Sequence, residues 1–324
     1  QSRGLGDVYK RQSDNWALVG TALANCRQGK HIITTSFEHA AVSAPLDWLK
    51  GQGYDLTVIP VDEKGNLSME ELEAAIRPDT ILVSTMYVNN EVGAVVPVEA
   101  VAKLVHEKNP KTVYHVDAIQ GYGKYRIYPK RAGIDLLSVS SHKIHGPKGV
   151  GFLYVSEKVK IQPLILGGGQ QKGMRSGTDN VPGIAGLGIA ARMVYEDHEE
   201  KIEKLRALKS YLAENLSAME RVVINGPAPE DGAPHIVNAS FLGVRSEVLL
   251  HTLEEKGIYV SAGSACSSHK RAASATMTAI SADKERRESA IRFSLSEFTT
   301  KEELDHTLEE IRTVLPVLRK YARH

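Results

Sequence analysis

The chain has 324 residues, enough for two domains or one large α/β unit. Apolar residues make up 42% and charged residues 24%, and 40 Lys/Arg against 39 Asp/Glu leave a formal charge of +1. That balance, with no basic or acidic block, argues against a nucleic-acid partner, and no run of 18 apolar residues is present to cross a membrane.

The first dozen residues, "QSRGLGDVYKRQ", do not read like the start of a domain. Codons for Asp7–Gln12 can be chosen that resemble a transposon end used in preparing sequencing libraries. Residues 1–12 are therefore expected to be a read-through artefact, with native sequence from Ser13. Further on, strand and helix patterns alternate. Met69–Ile76 reads as a helix, Thr80–Val88 as a buried strand and Pro97–Lys108 as an amphipathic helix. Thr112–Ala118, Asp135–Ser140 and Gly149–Ser156 read as further strands. Alternation of this kind predicts an α/β unit with a mainly parallel sheet covered by helices, over residues 13–182.

The pattern changes after Pro182. Residues 183–219 read as one almost continuous helix linking two domains. Residues 220–324 predict a smaller α+β unit. Its expected strands are His235–Gly243 and Ile258–Ala265, and its expected helices Glu247–Gly257 and Lys301–Ala322.

Three of the early strands end in polar residues: Asn89-Asn90-Glu91, Asp117 with Gln120 nearby, and Ser140-Ser141-His142-Lys143. In open α/β sheets ligands sit at the carboxyl ends of strands, so three such ends point to one site. A desolvated lysine can trap a carbonyl, and pyridoxal phosphate enzymes pair such a lysine with a carboxylate that keeps the pyridine nitrogen protonated. Lys143 and Asp117 have those residue types. Taken singly, a strand-end Asp is a cap and a loop Lys is solvated.

The two cysteines, Cys26 and Cys266, are too few and too dissimilar in setting for a disulfide framework or a zinc site, which suits a reducing cytoplasm. Cys26 follows a helical "ALVGTALAN" and reads as packing. Cys266 lies in "SAGSACSSHKRAASA", a stretch of small residues without an apolar anchor, beside His269, Lys270 and Arg271 that would favour the thiolate.

Together "SFEHAAV", "VNNEVG", "YHVDAIQ", "SSHKIHGPKG", "MRSGTDN", "GSACSS" and "IRFSLSEFTT" resemble the cysteine desulfurases of the NifS/IscS type, members of the class V aminotransferase family. The resemblance runs from Ser13 to Tyr321, and Arg175 in "MRSGT" is typical of that family. It implies a type I transferase fold dependent on pyridoxal phosphate (PLP), with a mainly parallel, seven-stranded type of sheet and a smaller C-terminal domain. It implies that Lys143 holds PLP and that Asp117 pairs with the ring nitrogen. His39 would stack on the ring and assist proton movements. Asn90 and Gln120 would contact the ring and its oxygen, with Asn90 also near the substrate. Ser140, Ser141 and His142 would bind the phosphate, Thr178 would reach the phosphate of a second subunit in a homodimer, and Arg292 would grip the substrate carboxylate.

By the same resemblance Cys266 is the nucleophile that takes sulfur from L-cysteine, leaving alanine, and passes it to an acceptor protein for iron–sulfur cluster assembly or tRNA thiolation. No resident metal is implied, although Cys266 could transiently ligate an iron–sulfur cluster. Ser141 stands where many relatives have glycine, a change expected to be tolerated if its φ is negative. The segment Ala272–Ile280 lacks the proline common after the active loop, which puts the loop's position in question. The resemblance also implies further residues ahead of Ser13 with a "GGTES"-like phosphate turn. Weak PLP binding is expected of a chain without it. A selenocysteine lyase on the same scaffold, and a cofactor-free remnant serving only as an interaction protein, stay open at this point.

Overall fold

The structure, a computed structural model, describes residues 3–6, 10–262 and 274–321. It divides into two compact units. Residues 1–60, 67–88 and 96–197 form the first, and residues 61–66, 89–95 and 198–324 the second.

The first unit holds strands β1 (Arg3–Gly6), β2 (His31–Thr35), β3 (Asp55–Ile59), β4 (Thr80–Met86), β5 (Val113–Asp117), β6 (Leu136–Ser140) and β7 (Gly151–Val155). They form one sheet in the order β1-β7-β6-β5-β4-β2-β3. From β6 to β3 all pairs are parallel, whereas β7 and β1 add antiparallel at the other edge. Every residue of β2, β4, β5 and β6 is buried, as parallel strands covered on both faces must be, and the buried histidines among them, His31 and His115, are paired with hydroxyls of neighbouring strands. The helices of this unit are α1 (Lys10–Asn15), α2 (Thr21–Asn25), α3 (Ala40–Gly51), α4 (Met69–Ala75), α5 (Val98–Lys108) and α6 (Val181–Tyr195). Trp16, Leu18, Leu46 and Leu49 pack against Ile32, Leu82 and Leu136 of the sheet. Arg3–Gly6 falls in the segment expected to be foreign to the domain. A sheet edge takes up an extended segment through backbone groups alone, whatever its side chains.

The helix expected over 183–219 is instead two, α6 and α7 (His198–Ser217). Asp197, at φ 48°, breaks it. Aspartate tolerates the left-handed region better than most residues, and a helix cannot continue through it. The division between the units falls at this point.

The second unit has a four-stranded antiparallel sheet of β8 (Val222–Asn225), β9 (Ile236–Phe241), β10 (Ser261–Ala262) and β11 (Ala290–Ser294), ordered β10-β11-β9-β8. Helices α8 (Ser246–Glu254), α9 (Ala275–Ile280), α10 (Lys284–Glu288) and α11 (Lys301–Tyr321) complete it. Leu205 and Leu212 of α7 and Ile311 of α11 pack on Phe241 and Ile291, all of them buried. Burial of each such side chain contributes about 1.5–3 kcal/mol. The strand expected over 258–265 is shorter within the described residues: only Ser261–Ala262 pair, with Arg292 and Ile291. Among the described residues no helix is long and apolar enough to cross a membrane.

Candidate active site

In the first unit, β5 ends at Asp117, which is 3% exposed. Its register partners are Met86 at the end of β4 and Ser138 on β6. Asp117 Oδ1 accepts the Ile119 N–H at 3.0 Å, and Tyr87 N–H donates to its carbonyl at 2.9 Å. The carboxyl is thus fixed at the strand end by the turn that carries the half-buried Gln120.

β6 runs directly into a single 3₁₀ turn, Ser141–Ile144, that carries Lys143. The turn is closed by Gly146 N–H donating to Ser141 O at 3.0 Å, and by His145 at φ 60°. The amine-bearing residue therefore sits on a short rigid element one strand away from Asp117. Lys143 is half-buried and His142 exposed, with Ser140 Oγ 2.7 Å from His142 Nδ1. Ser141 does not have a positive φ, so its side chain is tolerated there. Its hydroxyl needs glycine at 146, where a Cβ would lie 2.2 Å from Ser141 Oγ. That Oγ is buried and has no hydrogen-bond partner among the described residues.

His39 caps α3. Its Nδ1 accepts the Ala41 N–H at 2.9 Å, so in the neutral ring the proton is on Nε2. The side chain of Glu38, just before it, carries no local signal of burial: a charged residue before a helix reads as a solvated cap. Glu38 is buried, and Oε1 accepts from Met86 N at 2.9 Å and from the Thr35 hydroxyl. Burial first, and then the charge of Asp117, push its carboxyl up to about 8. His115, in the middle of β5, is fully buried between Ser84 Oγ (2.9 Å) and Ser138 Oγ (3.0 Å). Burial lowers it to about 3, so it stays neutral beneath the strand ends.

The second unit brings Arg292 and Asn90 together. Arg292 Nη1 donates to Asn90 O at 2.9 Å and Nη2 to Ser261 Oγ at 3.0 Å. Asn90 here presents its backbone carbonyl to the arginine. The turn around it is tied down by its neighbours. Asn89 Oδ1 accepts the N–H groups of Glu91 and Val92, and its Nδ2 donates to Thr276 Oγ1 at 3.1 Å. Glu91, buried, accepts from the Ser274 hydroxyl. Burial raises its carboxyl, while Ser274 and then Arg292 oppose the rise. Glu91 belongs to the polar strand end read from the sequence, but its burial had no local signal.

Thr178 is exposed in the single chain. Cys266 and its neighbours 263–273 lie outside the described residues. Cys26, expected to pack, is exposed. It follows the last residue of α2, beyond the face that buries Ala22.

Residues 12–307 match the family model of the class-V aminotransferases. The chain belongs to that family. It is 42% identical to the cysteine desulfurase IscS of Methanosarcina thermophila over 95% of this chain and 76% of that protein. It is 43% identical to a putative cysteine desulfurase IscS 1 of Bacillus subtilis, over 93% and 78%. A solved NifS-like protein superposes with a TM-score of 0.91 at 37% identity, covering 98% of this chain and 83% of that one. The type I fold implied by the motifs is thereby shown.

The family's cofactor is PLP, and the residues present fit it. A buried carboxylate and a lysine leave adjacent strand ends, and the orphaned hydroxyl of Ser141 supplies a donor of the kind a phosphate accepts from.

Proposed function

We infer that the chain is a cysteine desulfurase, converting L-cysteine to L-alanine and passing the sulfur to an acceptor protein. The observation that carries this reading is the delivery of Asp117 and Lys143 by neighbouring parallel strands in a chain 42% identical to a named cysteine desulfurase.

In this reading Lys143 would hold PLP, Asp117 would pair with its ring nitrogen, Gln120 would contact its ring oxygen, and Ser140, Ser141 and His142 would bind its phosphate. When bound there, the cofactor supplies an electron sink for the α-carbon of an amino acid. The chain's own groups do the rest. Arg292, which also donates to the Asn90 carbonyl and the Ser261 hydroxyl, takes the substrate carboxylate with its planar fork. The Lys143 amine moves the α-proton. His39, whose Nε2–H is set by the Ala41 bond, would offer that proton to the bound cofactor. The Cys266 thiolate attacks the substrate sulfur. An S–S bond forms as the Cβ–S bond breaks, a proton replaces sulfur on Cβ, and the enzyme is left with a persulfide. A reducing compartment such as the cytoplasm keeps both thiols available for this.

Pairing of two copies is part of the same reading. Thr178 is exposed, and so are the apolar side chains of Leu166 (77%) and Val181 (65%). The acceptor is an iron–sulfur scaffold or a tRNA-thiolating enzyme.

The test is incubation with PLP, L-cysteine and dithiothreitol, reading alanine and sulfide in equal amounts. Lys143→Ala and Cys266→Ala should each lose sulfide release by more than 100-fold. Release from Cys266→Ala at the parent rate would overturn the reading, and preference for L-selenocysteine would move it to selenocysteine cleavage.

A further inference from the structure

Glu38 lies where β2 turns into α3, directly before His39. One of its oxygens, Oε1, takes two donors, the backbone N–H of Met86 at 2.9 Å and the hydroxyl of Thr35. The other, Oε2, is buried with no hydrogen-bond partner among the described residues. Met86 is in register with Asp117, so this carboxyl links the His39 turn to the strand beside the one that carries Asp117.

The groups facing Glu38 are few. Thr35 comes from β2 and Met86 N–H from β4; Asp117 and Tyr114 come from β5. Tyr114 is fully buried, pushed upward by burial and by Glu38 itself, and its hydroxyl is 2.7 Å from Thr85 Oγ1. It carries no charge near neutrality. No cation among these groups balances a second carboxylate next to Asp117. An unpaired Oε2–H in this place costs less than an unpaired anionic oxygen.

We propose that Glu38 is a positioning residue, a neutral carboxylic acid that pins the His39 turn to the end of β4 and adds no charge beside Asp117. The proposal rests on the reading of Asp117 and His39 as cofactor-facing groups, and it concerns how they are held. Glu38 acts through both: it sets where the imidazole stands, and by keeping its proton it leaves the field at the ring nitrogen to Asp117. Above about pH 8 it ionises. The corner then holds two negative charges, and the protonated form of the bound cofactor is favoured.

Three measurements test this. In the cofactor-free chain with ¹³C-labelled glutamate carboxyls, one resonance, missing in Glu38→Gln, should titrate near pH 8. A Glu38 resonance that titrates between pH 4 and 5 overturns the proposal. In the chain loaded with PLP, the visible spectrum should show a step near pH 8 that Glu38→Gln lacks. The same step in Glu38→Gln overturns it. In ¹⁵N-histidine spectra, Glu38→Gln should keep the His39 Nε2–H tautomer, because its amide oxygen still accepts from Met86, and Glu38→Ala should show a mixture. An unaltered His39 signal in Glu38→Ala overturns it. If Glu38→Ala fails to fold, the first two measurements decide. Loss of the desulfurase reading would appear as absent alanine release while the glutamate titration stood, so the two failures are distinguishable.

Discussion

Two turns of the molecule are each built on a buried glutamate, and they differ in one neighbour. In the first unit Glu38 sits beside Asp117; in the second Glu91 sits beside Arg292. Both take hydrogen bonds from hydroxyls, Thr35 in one case and Ser274 in the other. Burial raises both acids. At Glu38 the neighbouring carboxylate adds to the rise, whereas at Glu91 the guanidinium opposes it. The lesson is that burial sets the direction of such a shift, hydrogen bonds to the carboxylate oppose it, and a neighbouring charge adds to or subtracts from what is left. A glutamate can answer a poor environment by keeping its proton. Arg292 cannot lose one, so it keeps its charge beside Glu91 while its hydrogen bonds to the Asn90 carbonyl and the Ser261 hydroxyl go to neutral groups.

The largest effect is expected at the cation. Arg292→Ala should lower kcat/KM for cysteine by about 100-fold, about 2.7 kcal/mol, mainly through KM. The same change should move the Glu91 carboxyl further up, since the charge that opposed its shift is gone; a ¹³C-carboxyl titration reads this. The converse change, Asp117→Asn, should bring Glu38 down from about 8.

Next in size is the pH dependence of stability. Glu38 has a folded value above its unfolded one, so its contribution is present at low pH and is lost as pH rises from the unfolded value toward about 8. His115 has the opposite sign: burial holds its folded value, about 3, below the ordinary histidine value of 6.5, and stability is lost as pH falls below 6.5. Lys209, lowered to about 8, acts only above that pH. Between about pH 6.5 and 8 the slope belongs mainly to Glu38, with stability falling by up to about 1.4 kcal/mol per pH unit. Urea unfolding should show that fall in the parent and a flatter profile in Glu38→Gln. Equal slopes would break the comparison.

The smallest effect is at Gly146. Gly146→Ala puts a Cβ on the Ser141 hydroxyl and should cost about 1–2 kcal/mol in urea unfolding, with PLP affinity lowered several-fold. Equilibrium dialysis of the cofactor reads the second part.

Much of the fold was legible. The runs 80–88, 112–118 and 135–140 became β4, β5 and β6 with ends moved by no more than two residues, because a parallel strand buried on both faces is rich in apolar residues, its polar ones pairing with each other as His115 does with Ser84 and Ser138. The strand-end residues Asp117 and Lys143 could be read as a pair for the same reason: polar groups following such runs stand out. The break at Asp197 was not legible, since the flanking residues all favour helix and the left-handed φ is imposed from outside. Glu91 could be read as part of a polar strand end, but neither its burial nor that of Glu38 could, because burial of an acid leaves no mark on local pattern. The strand read over 258–265 pairs only at Ser261–Ala262 among the described residues, because its extent is set by pairing with β11, which local propensity does not encode.

By itself the sequence determined the parallel sheet, the residue types at its strand ends and, through seven short motifs, the family. These follow from hydrophobic periodicity and covalent order, which are properties of the chain. The tertiary structure decided which acid keeps its proton, which carbonyl holds Arg292 and why residue 146 must be glycine. Those depend on distances between residues far apart in sequence and on removal of water, and no local pattern carries either.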